Sequence, residues 1–320
     1  MYVELNSILN STPDTFTQGE FILVSDRRSD ASFLIHHFLS FYLRARCRVC
    51  FLGLVQSFSH YSAVSQRLGV SLTQAKEKGQ LIFFEGLKES LSVLVPRDAN
   101  GASPAINFLR DPSVGLRSLY EFVRSSLSSF NSREKAADGA EEWGPPVLLV
   151  DDLSVLLSLG VSVGAALDFS HYCSATVCSQ LQGNMVMLVR CDGEEEEEDE
   201  GSDRLLKGLT HQCSLSLHVE GLPTGYCRDI HGQVEVCWRK RRGEGLHTQK
   251  KLFQYKVPRQ RSLLLCSWDL QHCSVAAHSS GLLVTQWRNH IILLSGSGLV
   301  PDRSHLPDGF QQLKKKLSCI

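Results

Sequence analysis

The sequence predicts an α/β fold in which a mostly parallel sheet carries helices on both faces and ends in an antiparallel edge. Two observations predict it. Between residues 20 and 190, short continuous apolar runs alternate with helix-periodic segments, and a strand with no polar face must be covered on both sides. From Cys213 to Val257 the pattern changes to a two-residue alternation, which belongs to strands with one wet face.

Residues 20–25 (EFILVS) read as the first strand. A polar loop over 26–31 leads into a helix over 32–46, whose apolar positions include Leu34, Ile35, Phe38, Leu39, Phe41, Tyr42 and Leu43, so it is buried on most sides. Residues 48–55 give a second strand, 59–69 a helix closed by Gly69, 80–85 a third strand, and 116–129 an amphipathic helix after the loop 96–115. The charged and Pro/Gly-containing stretch 131–146 connects to the strongest strand signal, 147–150, which Asp151 and Asp152 terminate. Helical patterns continue to Leu181, residues 184–190 form another buried strand, and His231-Gly232 marks a hairpin turn in the antiparallel part. Asp152 is the expected N-cap of a helix from Leu153.

The composition excludes several classes of protein. With 42% hydrophobic and 21% charged residues, the 320-residue chain can bury a real core, so it is not disordered, collagen-like or a mini-scaffold. A formal charge of -1 gives no global attraction to nucleic acid or an anionic membrane. The uncharged run 153–167 is shorter than the roughly 20 residues a spanning helix needs. The start Met1-Tyr2-Val3-Glu4 has no basic n-region, and the chain reads as soluble and intracellular, with no membrane partner. Eleven scattered cysteines, mostly in apolar runs, argue against a disulfide framework, and the single CxxC at Cys47 and Cys50 has no second ligand pair to make a zinc site. No metal or cofactor is expected. His36 and His37, adjacent on a helix, point about 100° apart and are poorly placed to share a metal.

Two charge features are local. Glu194–Glu200 is seven consecutive acidic residues, read as the centre of a solvated loop over about 191–203. Residues 228–261 hold ten basic and three acidic side chains, an excess of seven, with the run Arg239, Lys240, Arg241 and Arg242 as a candidate phosphate-backbone contact.

A strand, a loop and a buried helix near the chain start are the setting of a P-loop, but the loop lacks its chemistry. The GxxxxGK[ST] frame falls on 25–32, where Ser25 and Asp30 replace the glycines, Ala31 replaces the lysine, and only the hydroxyl of Ser32 remains. Asp30 adds roughly 1 to 4 kcal/mol of repulsion per phosphate charge at about 4 Å. In the stretch 50–70 (CFLGLVQSFSHYSAVSQRLGV), which resembles the RecA-type segment that delivers a water-activating carboxylate, Gln56 and Ser57 stand where that carboxylate belongs. Only residues 147–152, VLLVDD, look like a Walker B strand, with Asp151 and Asp152 at its end.

Residues 1 to about 257 resemble the Elongator subunit 6 family, through ELNSILN, SFLIHHFLSFYL, CFLGLVQSFSHYS, PVLLVDDLSVLLSLG, LDFSHYC and GYCRDIHGQ. The resemblance implies a RecA-like domain without nucleotide-binding signatures and without catalysis of its own. It further implies a heterohexameric ring with the fourth and fifth Elongator subunits, tRNA binding by that ring, and service to a catalytic Elongator subcomplex that modifies wobble uridine (U34) by carboxymethyl-type chemistry. A cytoplasmic location is expected, with the nucleus as an additional one. Residues 258–320 depart from the family in character and are expected to form an atypical, poorly ordered tail. Two other readings stay open: an active RecA-type NTPase, and a free-standing adaptor that docks through its acidic loop.

Overall fold

A computed structural model describes residues 2–94, 105, 115–134, 143–191, 200–222, 230–242, 245–256, 264–267, 274–277, 283–287 and 290–294. The acidic run, apart from Glu200, lies outside them. The chain divides into a unit Met1–Ser267 and a unit Trp268–Ile320.

The first unit is built on a nine-stranded sheet in the order β3-β2-β4-β5-β1-β6-β7-β8-β9. Its strands are β1 (Phe21–Arg27), β2 (Cys47–Gly53), β3 (Leu81–Glu85), β4 (Gly144–Val150), β5 (Asn184–Arg190), β6 (Leu215–Gly221), β7 (Gly232–Arg242), β8 (Gly245–Lys256) and β9 (Leu264–Ser267). The pairs joining β3, β2, β4, β5, β1 and β6 are parallel. Those joining β6 to β7, β7 to β8 and β8 to β9 are antiparallel. This is the RecA-like arrangement with an antiparallel edge.

The apolar strands are buried on both faces because alternate residues feed two separate cores. On one face Ile22 and Val24 join Leu34, Ile35, Phe38 and Leu39 of α2 (Ser32–Arg44), with α1 (Val3–Leu9), α3 (Phe58–Arg67) and α4 (Leu72–Glu77) around them. On the other, Phe21 and Leu23 meet Leu119, Val123 and Leu127 of α6 (Arg117–Glu134), Phe169 of α8 (Val163–Ser174) and Leu205 of α9 (Glu200–Gln212). Alternation with a period of two sends neighbours to opposite faces, so a strand without polar residues demands two covering layers. Helix α5 (Gly86–Leu94) follows β3 directly, α7 (Val155–Ser158) is one turn after β4, and α8 runs on into a π-helical stretch, Ala175–Gln180.

Three local expectations differ from the structure. The β6–β7 connection is not a two-residue turn at His231-Gly232. Gly232 is already a ladder residue facing Gly221 and Tyr255, and a side chain there would collide with the Glu220 carbonyl and the Tyr255 ring. Helix α7 begins at Val155 rather than Leu153, with Ser154 at its N-cap. Residues 72–77 and 200–212 are helical without a helix signal in the sequence: the first is too short to show a period, and the second begins inside the acidic run, so that 200–203 belong to a helix and not to the expected loop over 191–203.

The second unit contains an antiparallel three-stranded sheet of β10 (Ser274–Ala277), β11 (Leu283–Trp287) and β12 (His290–Leu294). Among the described residues, no helix is long and apolar enough to cross a membrane.

Candidate functional site

Parallel α/β sheets place ligands outside the carboxyl ends of their strands. Here those ends carry Asp26 on β1, Asp151 and Asp152 after β4, and Arg190 on β5, with the β2–α3 loop beside them. The position is that of a nucleotide site, but its polar groups are bound to one another.

Arg190 is the centre. Its Nη2 lies 3.2 Å from Asp30 Oδ1, and its Nε lies 3.4 Å from Asp152 Oδ2 and 4.0 Å from Asp26 Oδ2. Asp26 and Asp152 are almost fully buried, whereas the Arg190 side chain is a third exposed. One guanidinium therefore stands among three carboxylates at the place where a phosphate would need cations. The loop amides are occupied as well. Asp26 Oδ2 accepts the Ala31 N–H at 3.0 Å, and Asp30 accepts both the Ser32 N–H at 2.9 Å and the Ser32 hydroxyl at 2.8 Å. In a P-loop such amides point at phosphate oxygens. The loop does enter the left-handed region, at Arg28 with φ 53°, yet the amides of Ala31 and Ser32 are held by carboxylates. Ser25 Oγ lies 2.9 Å from His218 Nδ1, and Ser29 shares a 2.6 Å hydrogen bond with Tyr255.

Asp151 staples the loop after β2. Its Oδ1 accepts the Leu54 N–H at 2.7 Å, and its Oδ2 accepts the N–H groups of Val55 at 3.1 Å and Gln56 at 3.4 Å and the Tyr61 hydroxyl at 3.0 Å. Burial pushes its carboxyl up to about 6, and these four donors hold it from going further. Asp26 is likewise raised to about 6 by burial, opposed by the Ala31 amide and Arg190. Asp152 Oδ1 accepts from the Ser154 N–H at 2.9 Å and from the Ser154 hydroxyl, while Ser154 Oγ accepts the Arg190 N–H at 3.3 Å. Asp152 thus makes an Asx-type turn two residues on, ahead of α7.

Gln56 and Ser57, expected from the sequence to stand in place of a water-activating acid, follow β2, and Ser57 is the N-cap of α3, accepting from the His60 N–H. Glu85, at the end of β3, accepts the Phe58 N–H at 2.8 Å. Arg190 and Glu85 were not singled out from the sequence. The one available signal was Arg190, a charge ending an otherwise apolar strand.

Cys47 and Cys50 are buried in β2 with thiols pushed up to about 12, so neither is a thiolate near neutral pH. His37 Nδ1 accepts the Tyr2 N–H at 3.0 Å, and His36 packs 5.0 Å from the Tyr61 ring. Burial lowers them to about 3 and about 4, leaving both neutral. Among the described residues, no group of three or more His, Cys, Asp or Glu is placed to hold a metal.

The basic run lies in β7, where Arg239, Lys240, Arg241 and Arg242 pair with Thr248, His247, Leu246 and Gly245 of β8. Arg239 Nη1 is held within the fold, 3.1 Å from Cys213 Sγ and 3.2 Å from Ser216 Oγ.

Fold and site together define a RecA-like domain whose strand-end polar groups are taken up by its own ion pairs and loop bonds. The Elongation complex protein 6 family matches residues 2–259, and the chain belongs to that family. Elongator complex protein 6 of Danio rerio is 62% identical over 258 residues, covering 80% of this chain and 94% of that protein. The Homo sapiens protein of the same name is 52% identical over 259 residues, with the same coverage. A crystal structure of an uncharacterized Pyrococcus horikoshii protein in complex with an unknown peptide matches at a TM-score of 0.53 and 13% identity, over 84% of this chain and 98% of that one. That likeness concerns the fold alone.

Proposed function

We propose that this chain is a non-catalytic RecA-like subunit of the Elongator complex. In this reading it joins the fourth and fifth subunits in a heterohexameric ring that binds tRNA and serves the catalytic subcomplex in carboxymethyl-type modification of wobble uridine (U34). Its place of action is the cytoplasm, with the nucleus as a second site. Family membership supports the complex, and one observation supports the non-catalytic role: the guanidinium of Arg190 is taken up by Asp26, Asp30 and Asp152, which outnumber it where a triphosphate would lie. A site in which carboxylates outnumber the cation repels the phosphates of ATP.

Purification alone and after co-expression with the fourth and fifth subunits tests the reading. The expected result is a stoichiometric assembly that retains tRNA, with no ATP turnover by the isolated chain. Magnesium-dependent turnover by the isolated chain would establish the NTPase alternative. A stable monomer that ignores both partners would favour the adaptor.

A further inference from the structure

A cavity of about 380 Å³ opens between the α1–β1 connection, α2 and the β6–β8 edge, away from the strand-end cluster. Its walls include Phe16, Phe38, Phe41 and Trp238. Glu20 and Gln249 add a carboxylate and an amide, and Lys251 places its Nζ 5.8 Å from the centre of the Trp238 ring. The volume lies in the lower part of the ~300–1,000 Å³ range of small-ligand sites.

These groups restrict what can enter. Aromatic walls suit a flat group with two apolar faces, and the Glu20 carboxylate and Gln249 amide suit one with hydrogen-bonding edges. A carboxylate pushed inside would meet Glu20. A cationic side chain would have to pass Lys251, and β7 runs from Trp238 straight into Arg239–Arg242. The occupant that satisfies both conditions is neutral and planar where it inserts and anionic where it stays outside, which is a nucleotide of a single strand. We infer that the cavity captures one unpaired nucleobase of a bound RNA, with Trp238 as stacking surface and Lys251 on the adjoining phosphate. This rests on the tRNA-binding reading and names the site through which it would act. The strand-end cluster plays no part in it.

The test uses the full chain assembled with the fourth and fifth subunits. The probes are a single-stranded RNA oligonucleotide, the same sequence annealed as a blunt duplex, and a poly-glutamate peptide. Trp238→Leu should weaken single-strand binding about 5- to 160-fold with the salt slope unchanged, the range expected for one stacked base. Trp238→Phe should restore most of it. Exposed Lys251→Ala, which leaves the core untouched, should reduce the salt slope by about one. The duplex should bind more weakly than the single strand. Wild-type binding with Trp238→Leu and Lys251→Ala both unaltered would overturn the cavity while leaving tRNA binding in place. A wild-type assembly that binds no RNA would sink the tRNA reading itself. Peptide binding that Trp238→Leu abolishes while RNA binding stays would assign the cavity to an acidic protein segment and refute the inference.

Discussion

Tyr61→Phe isolates one bond in the loop staple. It removes a buried hydroxyl that donates to the ionised Asp151 at 3.0 Å and keeps the ring that packs 4.6 Å from Phe51 and 5.9 Å from Phe83. A hydrogen bond to a charged group contributes about 1.5–3 kcal/mol. The change should lower stability by about 2 kcal/mol at pH 7.5, which is roughly 4–8 °C in melting temperature for a domain of 150–250 residues. The loss should also depend on pH. The Asp151 carboxyl, raised to about 6 in the folded chain, binds a proton more readily than in the unfolded one, so wild-type stability falls as pH rises from about 4 to 6. The Tyr61 hydroxyl opposes that rise. Without it the carboxyl moves higher still, and the variant loses more stability over the same window and somewhat above it. The difference between the two proteins should therefore grow with pH and level off above about 7. Thermal melts of both proteins across pH 4.5–8, the upper end chosen to clear the titration, give the answer. A difference independent of pH, or one below about 0.5 kcal/mol at pH 7.5, would refute the staple assigned to Asp151.

Arg190→Ala leaves Asp26 and Asp152 buried without their cation. Removing one partner of a buried pair costs about 3–5 kcal/mol, and the partial exposure of Arg190 reduces this to about 2–3 kcal/mol, readable in a urea midpoint. Nucleotide turnover should stay absent, since the carboxylates remain. Asp26→Asn should flatten the fall in stability between about pH 4 and 6, because the raised carboxyl of Asp26 then no longer titrates; an unchanged melting profile would contradict this. Gly232→Ala forces a side chain against the Glu220 carbonyl and Tyr255 and should cost about 1–3 kcal/mol, while the conservative Val234→Ile in the same strand serves as the packing control.

How much of this was legible in the sequence depends on whether the signal is local. The strands at 147–150 and 184–190 and the helix from Ser32 show in their own residues, since burial on both faces leaves no polar position to confuse the period. The loss of the phosphate loop is equally local, because it consists of the residues present at 25, 30 and 31. The short helix α4 and the ladder role of Gly232 were not legible. The first has too few residues to repeat, and the second is fixed by its neighbours across the sheet.

By itself the sequence determined the layered sheet and the absence of groups that hold a triphosphate, because periodicity and residue identity are properties of short windows. Tertiary structure alone decided what took their place. Arg190 meets Asp26, Asp30 and Asp152 only because β5 lies between β4 and β1, and Asp151 reaches Leu54, Val55 and Tyr61 only because β4 lies beside β2. Charges separated by 38 residues (190 − 152) to 164 residues (190 − 26) are brought close together by strand order, which no local pattern encodes.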